Sequence, residues 1–219
     1  MATKRLIGKD GKVYTLTKGT ETTTGALAEG YYVVTAVATS ASGLPTGISA
    51  GYPFYTAATT GQIITLGTGD KVKKLTLTEQ CDIKSASLEF TNEEVDVTTL
   101  CDSTKVYRAG YSEAQGSLEG VTTIGVSETF INKFIDTVRQ AADGASTVIS
   151  AVNGDPLFAM IEVNSESTNT EDTAAYFAPI TMLSYNAGAQ IDGDQAFTSS
   201  FRITTDADIK ACFFELAQA

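Results

Sequence analysis

The chain lacks several residue types on which protein chemistry commonly depends. Its 219 residues contain no histidine and no tryptophan. Without histidine, Ser–His–Asp and Cys–His catalytic arrangements cannot be built, and the commonest metal ligand is missing. The three cysteines are far apart in sequence and form no CxxC pair, so they indicate neither a disulfide framework nor a zinc site. The composition therefore predicts that the protein is not an enzyme and carries no cofactor or metal.

Long apolar runs and targeting signals are also missing. No stretch of about 18 apolar residues occurs, and we therefore expect no membrane span and no membrane partner. The first residues, MATKRLIGKDGKVYTLT, are basic but lack the apolar core of a secretory signal, which predicts a protein made in a cytoplasm. Nothing matches a phosphate-binding or dinucleotide-binding motif.

What the chain does contain is typical of a globular β-rich protein. Hydrophobic residues make up 42% and charged residues only 19%, with 19 glycines and four prolines. Serine and threonine are abundant, which favours sheets over helices. A single domain of this length is common among all-β proteins. We therefore predict one mainly β domain over residues 1–219.

Charge is distributed unevenly along the chain. The net charge is −11, but residues 1–18 carry five basic residues against one acidic residue, so the remaining residues carry −15. An acidic body repels nucleic acid, because binding depends on neutralising phosphates. We therefore hypothesise that the basic N-terminus contacts an acidic surface of a neighbouring copy, although acidity also keeps proteins soluble.

Alternating apolar residues and turn signals predict a series of strands. Asp10-Gly11 indicates an N-terminal hairpin of residues 6–7 with 13–17. Further strands are predicted at 31–34, 62–66, 72–78, 147–152, 157–163, 175–185 and 195–204. The C-terminal segment 206–217 is ambiguous between a strand and a short helix.

One helix is predicted, over residues 128–142. Phe130, Phe134 and Val138 recur with helical spacing beside two isoleucines, and form one apolar stripe expected to pack on the sheet. Ser127 is placed to cap its N-terminus and Gly144 to follow its C-terminus.

The stretch 81–121 is the main candidate for a functional element. A strand from Cys81 leads into an acidic, threonine-rich loop at 92–99, and a second strand-like run ends at Gly110 before another strand at 116–120. A polar loop between two strands suits contact with another protein. Solvated residues that make only local hydrogen bonds are the alternative interpretation.

This stretch resembles the major tail tube proteins of long-tailed bacteriophages, whose fold is shared with type VI secretion tube proteins. The resemblance is carried by Glu94-Val95-Asp96-Val97-Thr98-Thr99-Leu100 with Asp102, by the strand Gly116–Gly120, and by the following predicted helix. It covers residues 70–145 well and the C-terminal strands loosely. Segment 20–68 departs from it, and we expect this segment to be an insertion or an elaborated hairpin on the shared core.

The resemblance implies a β-sandwich or barrel-like pair of antiparallel sheets flanked by one α-helix, assembled into hexameric rings. Rings would stack head to tail into a tube in the virion tail, built in the host bacterial cytoplasm. DNA would pass through without specific binding. Tape measure, tail terminator, baseplate or sheath proteins are the implied partners. The predicted subunit and ring contacts are Glu93, Glu94, Asp96, Thr98, Thr99, Asp102, Lys4 and Arg5. A β-rich adhesin, a surface-layer module and a head-decoration protein are the alternatives.

Overall fold

The computed structural model describes residues 12–39, 41–57, 63–96, 107–122, 128–140, 143–151, 156–164, 173–188 and 195–216. These ranges contain fourteen strands and one short helix. The strands are β1 Lys12–Thr22, β2 Gly25–Ala26, β3 Gly30–Ala36, β4 Pro53–Thr56, β5 Thr65–Leu66, β6 Lys71–Glu79, β7 Ile83–Asp96, β8 Tyr107–Val121, β9 Thr137–Gln140, β10 Ser146–Ile149, β11 Leu157–Asn164, β12 Thr173–Ala187, β13 Ala196–Ile203 and β14 Cys212–Leu216, and the helix is α1 Glu128–Ile131.

Ten strands form one antiparallel sheet in the order β4-β3-β6-β1-β11-β12-β13-β8-β7, with β14 also paired to β12. The sheet curls, because β7 contacts β1 and the β7 residues Ile83 and Leu88 pack on the same core as Val13. The predicted mainly β, sandwich-like fold is confirmed. Its two layers are the halves of one continuous sheet.

Strand β12 joins the two layers. One edge of β12 pairs with β11 along Ala174–Ile180. The other edge pairs first with β14, at Thr173–Phe177, and then with β13, from Ile180 to Ala187. Successive side chains of β12 point alternately into two different cores. Both faces of the strand are therefore covered, which is why both are apolar.

Three clusters of buried side chains hold the layers together. The inner core lies inside the curl and consists of Val13, Leu118, Phe130, Ala159, Ile161, Ala178, Ile180, Met182, Phe197 and Phe201. The outer core lies on the opposite face of β1, β11 and β12 and consists of Leu16, Val33, Leu75, Met160, Ala175, Phe177 and Ile209. The third core consists of Leu27, Tyr32, Val34, Leu44, Phe54, Leu66 and Val72.

The third core lies within and beside segment 20–68. Strands β3 and β4 of this segment extend the main sheet, and β2 pairs with β5 in a separate two-stranded sheet. Tyr32 and Val34 of β3 point to the third core, whereas Val33 points to the outer core. The segment thus adds strands to one end of the sheet and covers its own face of β3 and β6.

The predicted helix is wrong beyond its first turn. Helix α1 ends at Ile131, and residues 137–140 form β9, which pairs with β10 as a separate two-stranded sheet. Of the predicted stripe Phe130 is buried, but Ile135 and Val138 are 59% and 65% exposed. The β-branched Thr137 and Val138 favour a strand, and Gly144, at φ 87°, lies in the connection between β9 and β10.

Two further expectations are corrected by strand pairing. Along Tyr14–Leu16, strand β1 pairs with β6 at one edge and with β11 at the other. Neither edge of β1 is free along this stretch, so β1 cannot form the predicted hairpin with residues 6–7 there. Residues 6–7 themselves lie outside the described ranges. Strand β7 continues to Asp96, so the predicted loop does not begin at residue 92. Long antiparallel pairing with β8 outweighs the polar composition of residues 92–96.

The remaining strands are close to their predicted positions. Strands β3, β6, β11, β12 and β13 match the predictions, and β10 is shorter than predicted. The predicted strand at 62–66 is reduced to Thr65–Leu66, and Gln62 lies outside the described ranges. The ambiguous C-terminal segment contains a strand, β14, because Phe177 and its neighbours on β12 offer it an unpaired edge.

Candidate subunit interface

Strands β7 and β8 form the longest pairing in the described part of the chain. Their register runs from Ile83↔Gly120 to Asp96↔Tyr107. Strand β13 pairs with β8 only along Gln115–Val121. Beyond that point, from Thr91 to Asp96 and from Tyr107 to Glu113, the two strands continue as a ribbon that we call the arm.

The arm carries three of the eight predicted contact residues. Glu93, Glu94 and Asp96 lie on β7, and the register shifts between Asn92 and Glu94. The other five predicted residues, Thr98, Thr99, Asp102, Lys4 and Arg5, lie outside the described ranges. The structure therefore brings the acidic residues together on one strand, and their contacts stay a prediction.

The outer edge of β7 is unpaired within the described ranges, where β8 is its partner. Fourteen residues of β7 at about 3.4 Å each make an edge of about 48 Å. An unpaired edge presents backbone N–H and C=O groups that can pair with another chain, and proteins normally cover or shorten such edges. Sequence reasoning placed the functional element in a loop and missed this edge.

Close packing holds the base of the arm to the inner core. Leu88 of β7 packs against that core, and the Ser87 and Ser117 hydroxyl oxygens are 2.8 Å apart across the two strands. Gly116 and Gly120 of β8 allow β7 and the rings of Phe201 and Phe197 to approach its backbone. The arm therefore extends from a rigid base.

Aromatic side chains are exposed beside this base. Phe90 of β7 is 61% exposed, although it follows Leu88 in the same alternation and its pattern predicts burial. Its ring centroid lies 6.0 Å from that of Tyr176, which in turn lies 4.9 Å from Phe213 of β14. Phe90 also lines a groove of about 640 Å³ that includes Ile203 and Ile209.

A charged cluster ties the segment before β14 to the sheet. Lys18 Nζ lies 3.2 Å from an Asp206 oxygen and 3.0 Å from Asp208 Oδ2, which Lys73 Nζ approaches to 2.7 Å. The ammonium groups of Lys73 and Lys18 lower the pKa of Asp208. Burial opposes the charge of Lys18, but its hydrogen bonds to the two aspartates raise its pKa overall. The cluster is structural, since its charges are matched internally.

The described residues offer little for chemistry. Their cysteine, aspartate and glutamate side chains form no group of three or more that could hold a metal ion. Burial raises the pKa of the Cys212 thiol to about 11, which disfavours the reactive thiolate. Nor is any helix in these ranges long and apolar enough to cross a bilayer.

Comparison with known proteins finds likeness in solved structures alone. No family model matches, and no curated protein matches. One similar chain is from the virion of a native gene transfer agent (GTA) particle, with 12% identity and a TM-score of 0.43, covering 63% of this chain and 88% of that one. Another is from the tail of an empty GTA particle with C6 symmetry, with 12% identity and a TM-score of 0.40, covering 67% and 85%.

The two neighbours belong to a virion and to a tail, and both their identity to this chain and their TM-scores are low. The function of the present chain therefore rests on its own residues.

Proposed function

We propose that the chain is a structural virion protein that polymerises as stacked hexameric rings into a phage tail tube, through which DNA passes during ejection. The observation that carries the proposal is the β7–β8 arm with its unpaired edge. A 14-residue edge is more than twice the length of a typical strand. Such an edge promotes aggregation in a protein that stays monomeric, but serves assembly when a neighbouring copy covers it.

Closure of a ring would give the unpaired edge of β7 a partner strand from an adjacent copy. Copies related by rotation form head-to-tail contacts, and those contacts make a closed ring when the rotation closes. Strands of adjacent copies then join one sheet to the next, so that no long edge is left open. The six-fold number comes from the tail tube resemblance.

Stacking of rings uses the predicted contact residues. The proposed contacts to adjacent copies are Glu93, Glu94 and Asp96 on the arm, with Thr98, Thr99 and Asp102, which lie between the two strands of the arm in the sequence. The basic Lys4 and Arg5 provide the opposite charge. Complementary charge fixes orientation and register more than it adds affinity.

The charge of the chain suits a tube that conducts DNA. Six copies at −11 each would give a ring of about −66 before screening, and salt limits its reach to about 8–10 Å. A negative wall makes few phosphate contacts and would not retain the DNA. In this proposal the protein has no enzymatic activity. It is assembled in the host bacterial cytoplasm and its partners are its own copies, with tape measure, terminator, baseplate or sheath proteins at the ends and surface of the tube.

Negative-stain electron microscopy of the purified protein, sampled over time and over a range of concentration, tests the proposal. We expect six-fold rings or tubes of constant diameter. A species that light scattering shows to be monomeric at the highest attainable concentration would contradict tube formation, and would favour an adhesin or surface-layer module.

A further inference from the structure

The hairpin of β9 and β10 carries an apolar face that the rest of the described chain leaves uncovered. Val138 and Val148 lie opposite each other on its two strands, and they are 65% and 60% exposed. Among the described strands, neither β9 nor β10 pairs with the ten-stranded sheet. A two-stranded hairpin on its own is marginally stable at best, and an exposed apolar face commonly marks a contact with another protein.

This hairpin and the exposed Phe90 lie toward opposite ends of β7. Helix α1, which precedes the hairpin, packs Phe130 against Phe197, with ring centroids 6.1 Å apart. Phe197 and Ile83 both pair with Gly120, so α1 lies beside the start of β7. Phe90 is further along this strand, about 24 Å away at about 3.4 Å per residue. One end of the subunit therefore offers an apolar hairpin, and the other an exposed aromatic ring beside an open strand edge.

We propose that β9 of an adjacent copy adds to the outer edge of β7 as an antiparallel strand, with Val138 opposite Phe90. The inference rests on the proposed function, because it names the element that covers this edge in a tube. Residues directly opposite each other on antiparallel strands have their side chains on the same face. The pairing therefore places Val138 beside Phe90 and Leu88, with Val148 on the next strand of the same face. One contact thus covers both apolar surfaces.

Charge agrees with this pairing. Strand β9 contains Arg139 and no acidic residue, whereas β7 has one basic residue against four acidic residues. With Val138 opposite Phe90, Arg139 takes the position opposite Glu89. Opposite charges on neighbouring strands stabilise their pairing. The turn of the hairpin, which carries Asp143, lies beyond the paired positions.

The contact joins two different surfaces of the chain, so it is head to tail. Each copy presents β7 to one neighbour and its own hairpin to another. Such contacts close into a ring when the rotation between copies closes. They leave the arm beyond Thr91 free for the proposed contacts between rings.

A disulfide trap tests the pairing in the full chain. The native cysteines are replaced by serine, at Cys81, Cys101 and Cys212. Phe90→Cys is combined with Val138→Cys, and the protein is oxidised at the highest attainable concentration. We expect reducible links between copies, seen as dimers and larger species on a denaturing gel. The matched pair Phe90→Cys with Val37→Cys should link at least about tenfold less, because the exposed Val37 follows β3, near the other end of the sheet.

Each outcome of the trap decides the inference. A faster-migrating monomer would show a link within one chain and would overturn assignment to an adjacent copy. Rings or tubes without links would overturn the pairing and leave the proposed function in place. Linked copies that form neither rings nor tubes would support the pairing and contradict the proposed function alone. Protein that neither links nor assembles would contradict both.

A second variant tests the contact without cysteine. Val138→Thr with Val148→Thr keeps residues suited to strands but removes apolar surface from the contact. We expect the concentration needed for assembly to rise at least about tenfold, because apolar burial drives association. Circular dichroism of the monomer should stay unchanged, since both valines are exposed. Val37→Thr is the matched control, and equal assembly of the two variants would overturn the pairing.

Discussion

Asp70 is the residue that organises the loops around the third core. It is fully buried just before β6, and each carboxylate oxygen accepts two hydrogen bonds. Oδ1 accepts from Ala38 N at 2.8 Å and Ser42 Oγ at 2.9 Å. Oδ2 accepts from Gly43 N at 2.8 Å and Gly67 N at 2.9 Å. Because each donor comes from a different point of the chain, this one carboxylate joins the loop after β3 to the turn before β6.

Asp70→Ala should strongly destabilise the fold. The substitution leaves three part-buried backbone N–H groups without their acceptor, so we expect a loss of about 3 kcal/mol in the free energy of unfolding. Urea denaturation followed by circular dichroism measures the loss. Asp143→Ala is the matched control: Asp143 is exposed and accepts one hydrogen bond, from Ala145 N at 3.0 Å. Its removal should cost about 1 kcal/mol or less. Equal losses for the two variants would contradict the role of Asp70.

Asp70 should also make the stability of the fold depend on pH in the acidic range. Burial opposes the charged carboxylate, but hydrogen bonds from Ala38, Gly43, Ser42 and Gly67 lower the pKa of Asp70 overall. Because folding lowers this pKa, the ionised Asp70 contributes its full stabilisation at any pH above the ordinary carboxyl pKa. That stabilisation is lost as the pH falls through the pKa of Asp70 in the folded protein. Asp70→Asn removes this titration, so its stability should depend less on pH in that range.

At the scale of elements, the pairing of β7 with β8 depends on glycine. A Cβ at Gly116 would overlap the carbonyl oxygen of Ser87 and the ring of Phe201. Both neighbours are constrained, since Phe201 is 1% exposed in the inner core and Ser87 lies in the paired strand. The glycine is thus required by the close approach of β7 and the inner core.

Gly116→Ala should therefore separate β8 from its neighbours. We expect a loss of about 2 kcal/mol, typical of overpacking a core. Gly188→Ala serves as control, because the nearest atom to a Cβ there is the Ala196 carbonyl oxygen at 4.0 Å. Thermal unfolding of the two variants tests this, and a Gly116→Ala protein as stable as the control would show that β7 and Phe201 can shift to make room.

Elements differ in how well they could be predicted. Strands β6, β11, β12 and β13 were predictable, because alternation and turn residues are local signals. The elements within residues 128–142 could not be predicted in this way. Phe130, Phe134 and Val138 fit a continuous helical stripe as well as they fit a short helix followed by a hairpin. Only pairing of Val138 with Val148 distinguishes the two. Phe90 likewise continues the apolar alternation expected of a core strand, but it is exposed because β7 extends past the core at this point.

At the scale of the whole molecule, charge should govern assembly. Replacing Glu93 and Glu94 together by lysine should raise the concentration needed for polymerisation about tenfold. The reason is that two proposed charge contacts, of up to about 0.7 kcal/mol each, would be lost. Added reversal of Lys4→Glu and Arg5→Glu should restore assembly. Asp143→Lys with Glu215→Lys changes the net charge equally at exposed sites away from the arm, and should have little effect.

Sedimentation of polymer as a function of salt completes this test. Assembly of the wild type should weaken with added salt, because screening shortens the reach of exposed charges. If the arm variant and its control assemble alike at every salt concentration, the acidic residues of the arm do not contribute to contacts between copies.

The sequence by itself determined that the chain is mainly β, where most strands lie, and that common catalytic arrangements are missing. These are properties of composition and of patterns a few residues long. The tertiary structure decided which strands are neighbours: that β12 joins two layers of one sheet, that β1 is enclosed by β6 and β11, and that β7 has an open edge among the strands the structure describes. A period-two pattern specifies which side of a strand is apolar but not its partner, because partners are selected by contacts between residues far apart in the chain.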